Sequence, residues 1–169
     1  MSATARLRVA FLGSGAFGLP TLEAIAEVHD VVLVISQPDR PAGRGRQSTG
    51  TPISARVLED HERSEGRFAR TELLRTDDVN APEVLARLAE LQTEAMVVIA
   101  FGQKLGAALL DDRFAVNLHA SLLPRWRGAA PINRAMMAGD RETGVSVISL
   151  ADRMDAGAVH ATRSTVIDP

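Results

Sequence analysis

The sequence predicts an α/β fold: a Rossmann-like, mostly parallel open sheet with helices on both faces. Three observations predict it. Short runs rich in Val, Ile and Leu alternate with segments of helical period, the pattern of parallel strands joined by crossover helices. The chain has 169 residues, and a domain near that size buries roughly 68 to 70% of its unfolded surface, enough for a self-sufficient core. A glycine-rich stretch, "GSGAFG", joins the first apolar run to the first helical one. The chain therefore reads as one domain over 1–169.

The first strand is expected at 7–12 and the first helix at 19–28, with a second strand, "VVLVIS", at 31–36. Residues 37–51 carry Pro38, Pro41, Gly43, Gly45 and Gly50, too broken for regular structure and long enough to move. A helix follows at 53–59. The charged segment "DHERSEGRFARTELLRTDD" reads as a surface excursion around a short strand. The clearest helix has Asn80 as N-cap and runs from Pro82, with Val84, Leu85, Leu88 and Leu91 on one face and Glu83, Arg87 and Glu90 opposite. Strands at 95–101, 116–119, 145–150 and 159–167 complete the pattern, with helices at 105–110 and 130–138.

Composition narrows the function classes. The chain has no cysteine, which excludes a disulfide framework and a thiolate metal site and makes the cytoplasm the default address. The first eight residues are too polar for a signal peptide. The longest apolar runs, "VVLVI" and "AMVVIAF", fall far short of the roughly 20 residues that span a bilayer. A formal net charge of −2 argues against wholesale coating of nucleic acid. Locally, Arg40, Arg44, Arg46 and Arg56 face one nearby acid, Asp39, so that loop is basic.

"GSGAFG" matches the G-x-G-x-x-G of dinucleotide-binding turns, where backbone N–H groups at a helix N-terminus receive a phosphate. The acidic partner expected about 20 residues on is missing, because the second strand ends in Ser36 and Gln37. A tight strand-to-helix turn is the plainer reading.

The segment "NLHASLLPRWRGAAPI" closes a buried strand with polar chemistry. Residues i and i+2 of a strand share a face, so Asn117 and His119 point the same way at the carboxyl edge where open α/β sheets place ligands. A catalytic imidazole needs a carboxylate, and the loop after the next strand, "ADRMDAGAV", offers Asp152 and Asp155. Asp155 is the choice. The intervening helix and strand would return it to the same sheet edge. A nucleophilic Ser121 is disfavoured, since no G-x-S-x-G elbow holds it.

"NLHASLLPRWRGAAPINRAMMAGDRETGVSVISL" followed by "MDAG" closely resembles the formyltransferases that use 10-formyltetrahydrofolate, a match running from residue 7 to about 167. "QPDRPAGRGR" resembles the members whose acceptor is methionyl initiator tRNA. The resemblance implies Asn117, His119 and Asp155 as catalytic residues. It implies Ser121, Leu122, Leu123 and Pro124 as the tetrahydrofolate-binding loop, and Arg40, Arg44 and Arg46 as a tRNA-binding loop. Arg125 and Arg127 could face anionic groups. By the same resemblance the reaction is acyl transfer through an oxyanion, with no metal, in a monomeric cytoplasmic enzyme of translation initiation. Purine-precursor or amino-sugar formyltransferases, a dinucleotide-binding protein, and a folate- or RNA-binding fragment without catalysis are the alternatives. The resemblance covers a catalytic domain incomplete at its C-terminal end, without the β-barrel that helps such enzymes hold tRNA. The "GTP" form of the glycine turn and the "MDxGxDxG" wording around the aspartate are absent here, but Asp155 is kept.

Overall fold

Backbone packing divides the chain into two compact units, Met1–Phe114 and Ala115–Pro169. The structure is a computed structural model, and it describes residues 5–42, 47–111, 113–151 and 153–168.

The first unit begins with β1 (Arg8–Gly13), which passes through a short 3-10 turn into α1 (Leu19–Val28) and returns as β2 (Asp30–Ser36). Then come β3 (Arg40–Ala42), β4 (Gln47–Thr49), α2 (Pro52–Arg63), β5 (Glu72–Arg75), α3 (Pro82–Glu90), β6 (Ala95–Ile99) and α4 (Ala107–Leu110). Four of these strands lie in the order β5, β2, β1, β6, and all three pairings are parallel. Parallel crossovers are almost always right-handed, so the reversal of direction at β1 puts α1 and α2 on one face and α3 on the other. Burial explains the strand composition: residues 9–13 of β1 are all buried, and the run is accordingly apolar from end to end.

Glycine 13 is where β1 meets its neighbour most tightly. A Cβ there would lie 2.7 Å from the Phe11 ring and 3.0 Å from the Ile99 carbonyl oxygen. The Ser14 hydroxyl then receives the Gln37 amide at 3.1 Å and the Ser36 hydroxyl at 3.4 Å, tying the glycine turn to the end of β2. The turn is thus part of the packing, and the residues that replace the missing ribose-binding acid hold it in place.

Two local expectations are corrected. Asn80 does not cap α3, whose N-cap is Ala81. Its side chain instead accepts the Gly106 amide at 2.6 Å and donates to the Lys104 carbonyl at 3.0 Å, joining two loops. The stretch 37–51 is not free of regular structure, since β3 and β4 pair antiparallel. Pro41 is tolerated because this ribbon has only two strands, so its missing N–H interrupts no central ladder. The charged segment after α2 does run over the surface to the short strand β5, as expected, and is anchored at one point: Phe68 is fully buried, and its amide donates to Asp60 Oδ2 at 2.9 Å.

The second unit holds all but the first residue of β7 (Phe114–His119), then α5 (Pro131–Met137), β8 (Glu142–Ser149) and β9 (Val159–Val166). Strand pairing here is antiparallel, in the order β7, β8, β9. The link from β8 to β9 is too short for a parallel crossover, which needs a dozen or more residues. Along β8 Gly144, Ser146 and Ile148 alternate inward, whereas β9 is exposed along its whole length. Among the described residues no helix is long and apolar enough to cross a membrane.

Candidate active site

Strand β7 ends at His119, and alternation puts Asn117 on the same face. In the β7–β8 register Asn117 faces Ile148 and His119 faces Ser146. Because β8 runs antiparallel, its end lies beside Val116, away from His119. The expectation that the intervening helix and strand would themselves return the chain to the shared edge is therefore corrected: the 150–158 loop folds back and delivers Asp155. That loop is closed hard against β8. The Ser149 amide donates to the Ala158 carbonyl at 3.0 Å, and the Ala158 amide to Ser149 Oγ at 2.9 Å. Gly157 lies so close that a Cβ would come within 1.8 Å of the Ser149 carbonyl oxygen.

Asp155 is held at φ 51°, a left-handed conformation uncommon for a residue with a side chain and often associated with functional sites. Its carboxylate gathers two donors and one imidazole nitrogen. Asn117 Nδ2 donates to Oδ1 at 3.3 Å, the Gly128 amide donates to Oδ2 at 2.8 Å, and His119 Nδ1 stands 3.5 Å from Oδ2. The His119 and Asp155 side chains are 8% and 11% exposed, so their interaction is little screened by water. The second imidazole nitrogen, Nε2, lies 2.9 Å from the Trp126 carbonyl oxygen.

Residues 120–130 form the turn that brings Gly128 and Trp126 to this place. Ser121 is fully buried; its hydroxyl donates to the Arg125 carbonyl at 2.7 Å, and its carbonyl accepts from Ser146 Oγ at 2.8 Å. That same Ser146 oxygen accepts the Leu123 amide at 3.1 Å. The Leu123–Pro124 peptide is cis, and Trp126 and Ala130 adopt positive φ. Sequence reasoning placed Ser121 in a ligand-binding loop. The structure commits its hydroxyl to the turn, leaving Leu122 and Leu123 half-buried and Pro124 exposed as the surfaces open to a ligand.

A cavity of about 260 Å³ is lined by Leu122, Arg125, Trp126, Asp140, Arg141, Glu142 and Thr143. It shares Leu122 with the expected cofactor loop and includes none of Asn117, His119 and Asp155. Arg40 is exposed on β3, whereas Arg44, Arg46 and the alternative acid Asp152 lie outside the described residues. Asp39, the one acid in the basic loop, accepts both of its short contacts, 2.8 and 2.9 Å, from Arg75 Nη1. Arg127 is exposed. Among the described residues no group of three or more His, Asp or Glu side chains is placed to hold a metal ion.

Gly128, Trp126, Ser146 and Asp140 escaped sequence reasoning. The first two act through backbone atoms, which leave no mark on residue type. Trp126 alone gave a signal, as the single tryptophan of the chain.

Comparison with known proteins bears on this arrangement. The profile of a family described as "Formyl transferase" matches residues 7–169. Methionyl-tRNA formyltransferase of Cereibacter sphaeroides is 45% identical over 168 residues, covering 95% of this chain and 51% of that protein. Its counterpart in Methylococcus capsulatus is 43% identical over 164 residues, covering 95% of this chain and 50% of that protein. The chain thus spans about half the length of the curated relatives it matches. Among solved structures, phosphoribosylglycinamide formyltransferase from Bacillus halodurans superposes with a TM-score of 0.71 at 26% identity, covering 95% of this chain and 80% of that one. Glycinamide ribonucleotide transformylase 1 from Geobacillus kaustophilus gives 0.71 at 27% identity, with 98% and 85% covered.

Proposed function

Because the chain belongs to the formyl transferase family, we propose that it carries the formyl group of 10-formyltetrahydrofolate to the α-amino group of methionine on initiator tRNA. The observation that carries this reading is the Asp155 carboxylate, on which Asn117 and His119 both converge. Relatives 40 to 45% identical bear the name of that activity, whereas the similar solved structures named for a glycinamide acceptor stand at 26 to 27%. The first reading is favoured for that reason.

The chemistry follows from the donor inventory. The neutral amine attacks the formyl carbon, a new N–C bond forms, and the carbonyl electron pair moves onto oxygen. An amide has two N–H donors, and Asn117 spends one on Asp155, leaving the second for that oxyanion. His119 presents Nδ1 to the same carboxylate, 3.5 Å from Oδ2, while its Nε2 meets the Trp126 carbonyl. Asp155, directly or through a water, takes the proton shed by the amine. Collapse of the intermediate breaks the bond to the folate nitrogen, which leaves with a proton. No covalent enzyme intermediate is involved.

The turn after β7 fits a planar donor: Leu122 and Leu123 are half-buried apolar walls and Pro124 is an exposed one. Arg40, Arg44 and Arg46 contact the tRNA acceptor end. Arg75 neutralises the loop's one acid, Asp39, so the cations face the phosphates without a local competitor. Synthesis takes place in the cytoplasm.

The test is formyl transfer by the purified chain to charged initiator tRNA, to a purine-precursor amine and to an amino-sugar nucleotide. The tRNA is expected to react fastest, and Asn117→Ala to lower that rate by about 10² to 10³, as loss of one oxyanion donor does. Equal rates for wild type and Asn117→Ala would overturn the reading.

A further inference from the structure

Asp140 stands at the end of α5, outside the three residues assigned to the reaction. The turn that closes the helix fixes its backbone: the Gly139 amide donates to Met136 and the Asp140 amide to Ala135, each at 3.0 Å. The side chain is 11% exposed, and each carboxylate oxygen has one short donor. Arg125 Nη2 donates to Oδ1 at 2.8 Å, and the Trp126 indole Nε1–H donates to Oδ2 at 2.7 Å. Arg125 also stacks over the Trp126 ring, 5.2 Å from its centre. One carboxylate therefore clamps two successive residues.

The second of those residues is strained. Trp126 has φ 58°, a conformation that a bulky side chain rarely adopts unless its surroundings impose it. In that conformation its carbonyl oxygen meets His119 Nε2 at 2.9 Å. A carbonyl can only accept, so Nε2 carries hydrogen in this contact, and Nδ1 is the nitrogen left facing Asp155.

We propose that Asp140 is a positioning residue for His119: by clamping Arg125 and Trp126 it aims the Trp126 carbonyl at Nε2 and so fixes the plane and protonation pattern of the catalytic ring. The proposal rests on the formyl-transfer reading for its consequence to catalysis, but its geometry can be read without turnover. His119 is thus held from two sides, by Asp155 on one nitrogen and by Asp140, through a backbone carbonyl, on the other.

The chain has four histidines and one tryptophan, so nitrogen NMR of the full chain resolves both ends of this relay. The His119 signal is assigned by its absence from His119→Gln. In wild type a slowly exchanging Hε2 is expected on His119, together with a protected indole N–H. In Asp140→Ala the indole N–H should lose protection and the His119 Hε2 should exchange about tenfold faster or vanish, the loss of roughly one hydrogen bond. Transfer should fall by about 10- to 100-fold in kcat with KM for the folate donor little changed, as for other groups that orient a site residue. Asp140→Asn, which retains an oxygen for the indole, should restore the Hε2 signal.

If Asp140→Ala does not fold, Trp126→Phe decides, because it removes the indole bond while leaving Asp140 in place to pair with Arg125. An unchanged His119 Hε2 in whichever of these two variants folds would overturn the proposal. Absence of transfer by wild type with the Hε2 signature present and sensitive to Asp140 would instead sink the formyl-transfer reading and leave the relay standing.

Discussion

The two units are held together by different forces. Among the described residues every buried apolar side chain except Ala135 and Ile148 lies in the first unit, around β1, β2 and β6. The second unit buries His119, Ser121 and Ser146 instead, and its turns are fixed by hydrogen bonds from carboxylates and hydroxyls to backbone groups. Apolar burial is non-directional and tolerates small shifts. A hydrogen bond weakens steeply with angle and distance. The first unit is therefore suited to stability, and the second to placing a few polar atoms accurately.

The contrast can be broken most forcefully at Phe11. Its ring is fully buried and packs against Gly13 and Gly18. Phe11→Ala should cost about 3 to 5 kcal/mol in denaturant unfolding, the usual range for a core aromatic. A loss below about 1 kcal/mol would mean that the parallel sheet does not carry the fold.

A smaller effect is expected at Asp60, the one buried carboxylate of the first unit among the described residues. The Arg56 guanidinium, donating at 2.7 Å, holds the Asp60 carboxyl below its ordinary 3.8, and the Phe68 amide adds to this. A depressed folded value means that the contribution is present above the ordinary pKa and is lost as pH falls through the folded one. Asp60→Asn should thus cost about 1 to 3 kcal/mol at neutral pH. Its deficit relative to wild type should shrink once the pH drops well below 4. A deficit independent of pH would show that charge plays no part. Neither this variant nor Phe11→Ala should alter the relative rates of site variants, because neither residue belongs to the second unit's network.

Much of the first unit was legible because its signal is periodic. The first helix was read at 19–28, the bounds observed for α1, since an apolar stripe and a glycine turn define it locally. Asn117 and His119 were legible as a pair from alternation on β7. Asp155 was chosen from the loop after the next strand, but the route assumed for it, in which that strand returns the chain to the same sheet edge, was mistaken, because strand direction depends on pairing that no local pattern records. Trp126, Gly128 and Asp140 were not legible. They act through a carbonyl, an amide and a clamp on a left-handed residue, and each depends on a turn that exists only once the chain has folded. The ribbon of β3 and β4 was missed for the opposite reason: proline and glycine content outweighed a pairing only three residues long.

The central claim is that the imidazole of His119 and the carboxylate of Asp155 work as one unit beside the Asn117 amide. The most direct test is a double-mutant cycle on formyl transfer, with rates measured for wild type, His119→Ala, Asp155→Ala and the double variant. Groups that act together are strongly non-additive, so the double variant should be slower than the worse single variant by less than about tenfold. Losses that multiply would contradict the claim, since they would mean that the two side chains contribute independently.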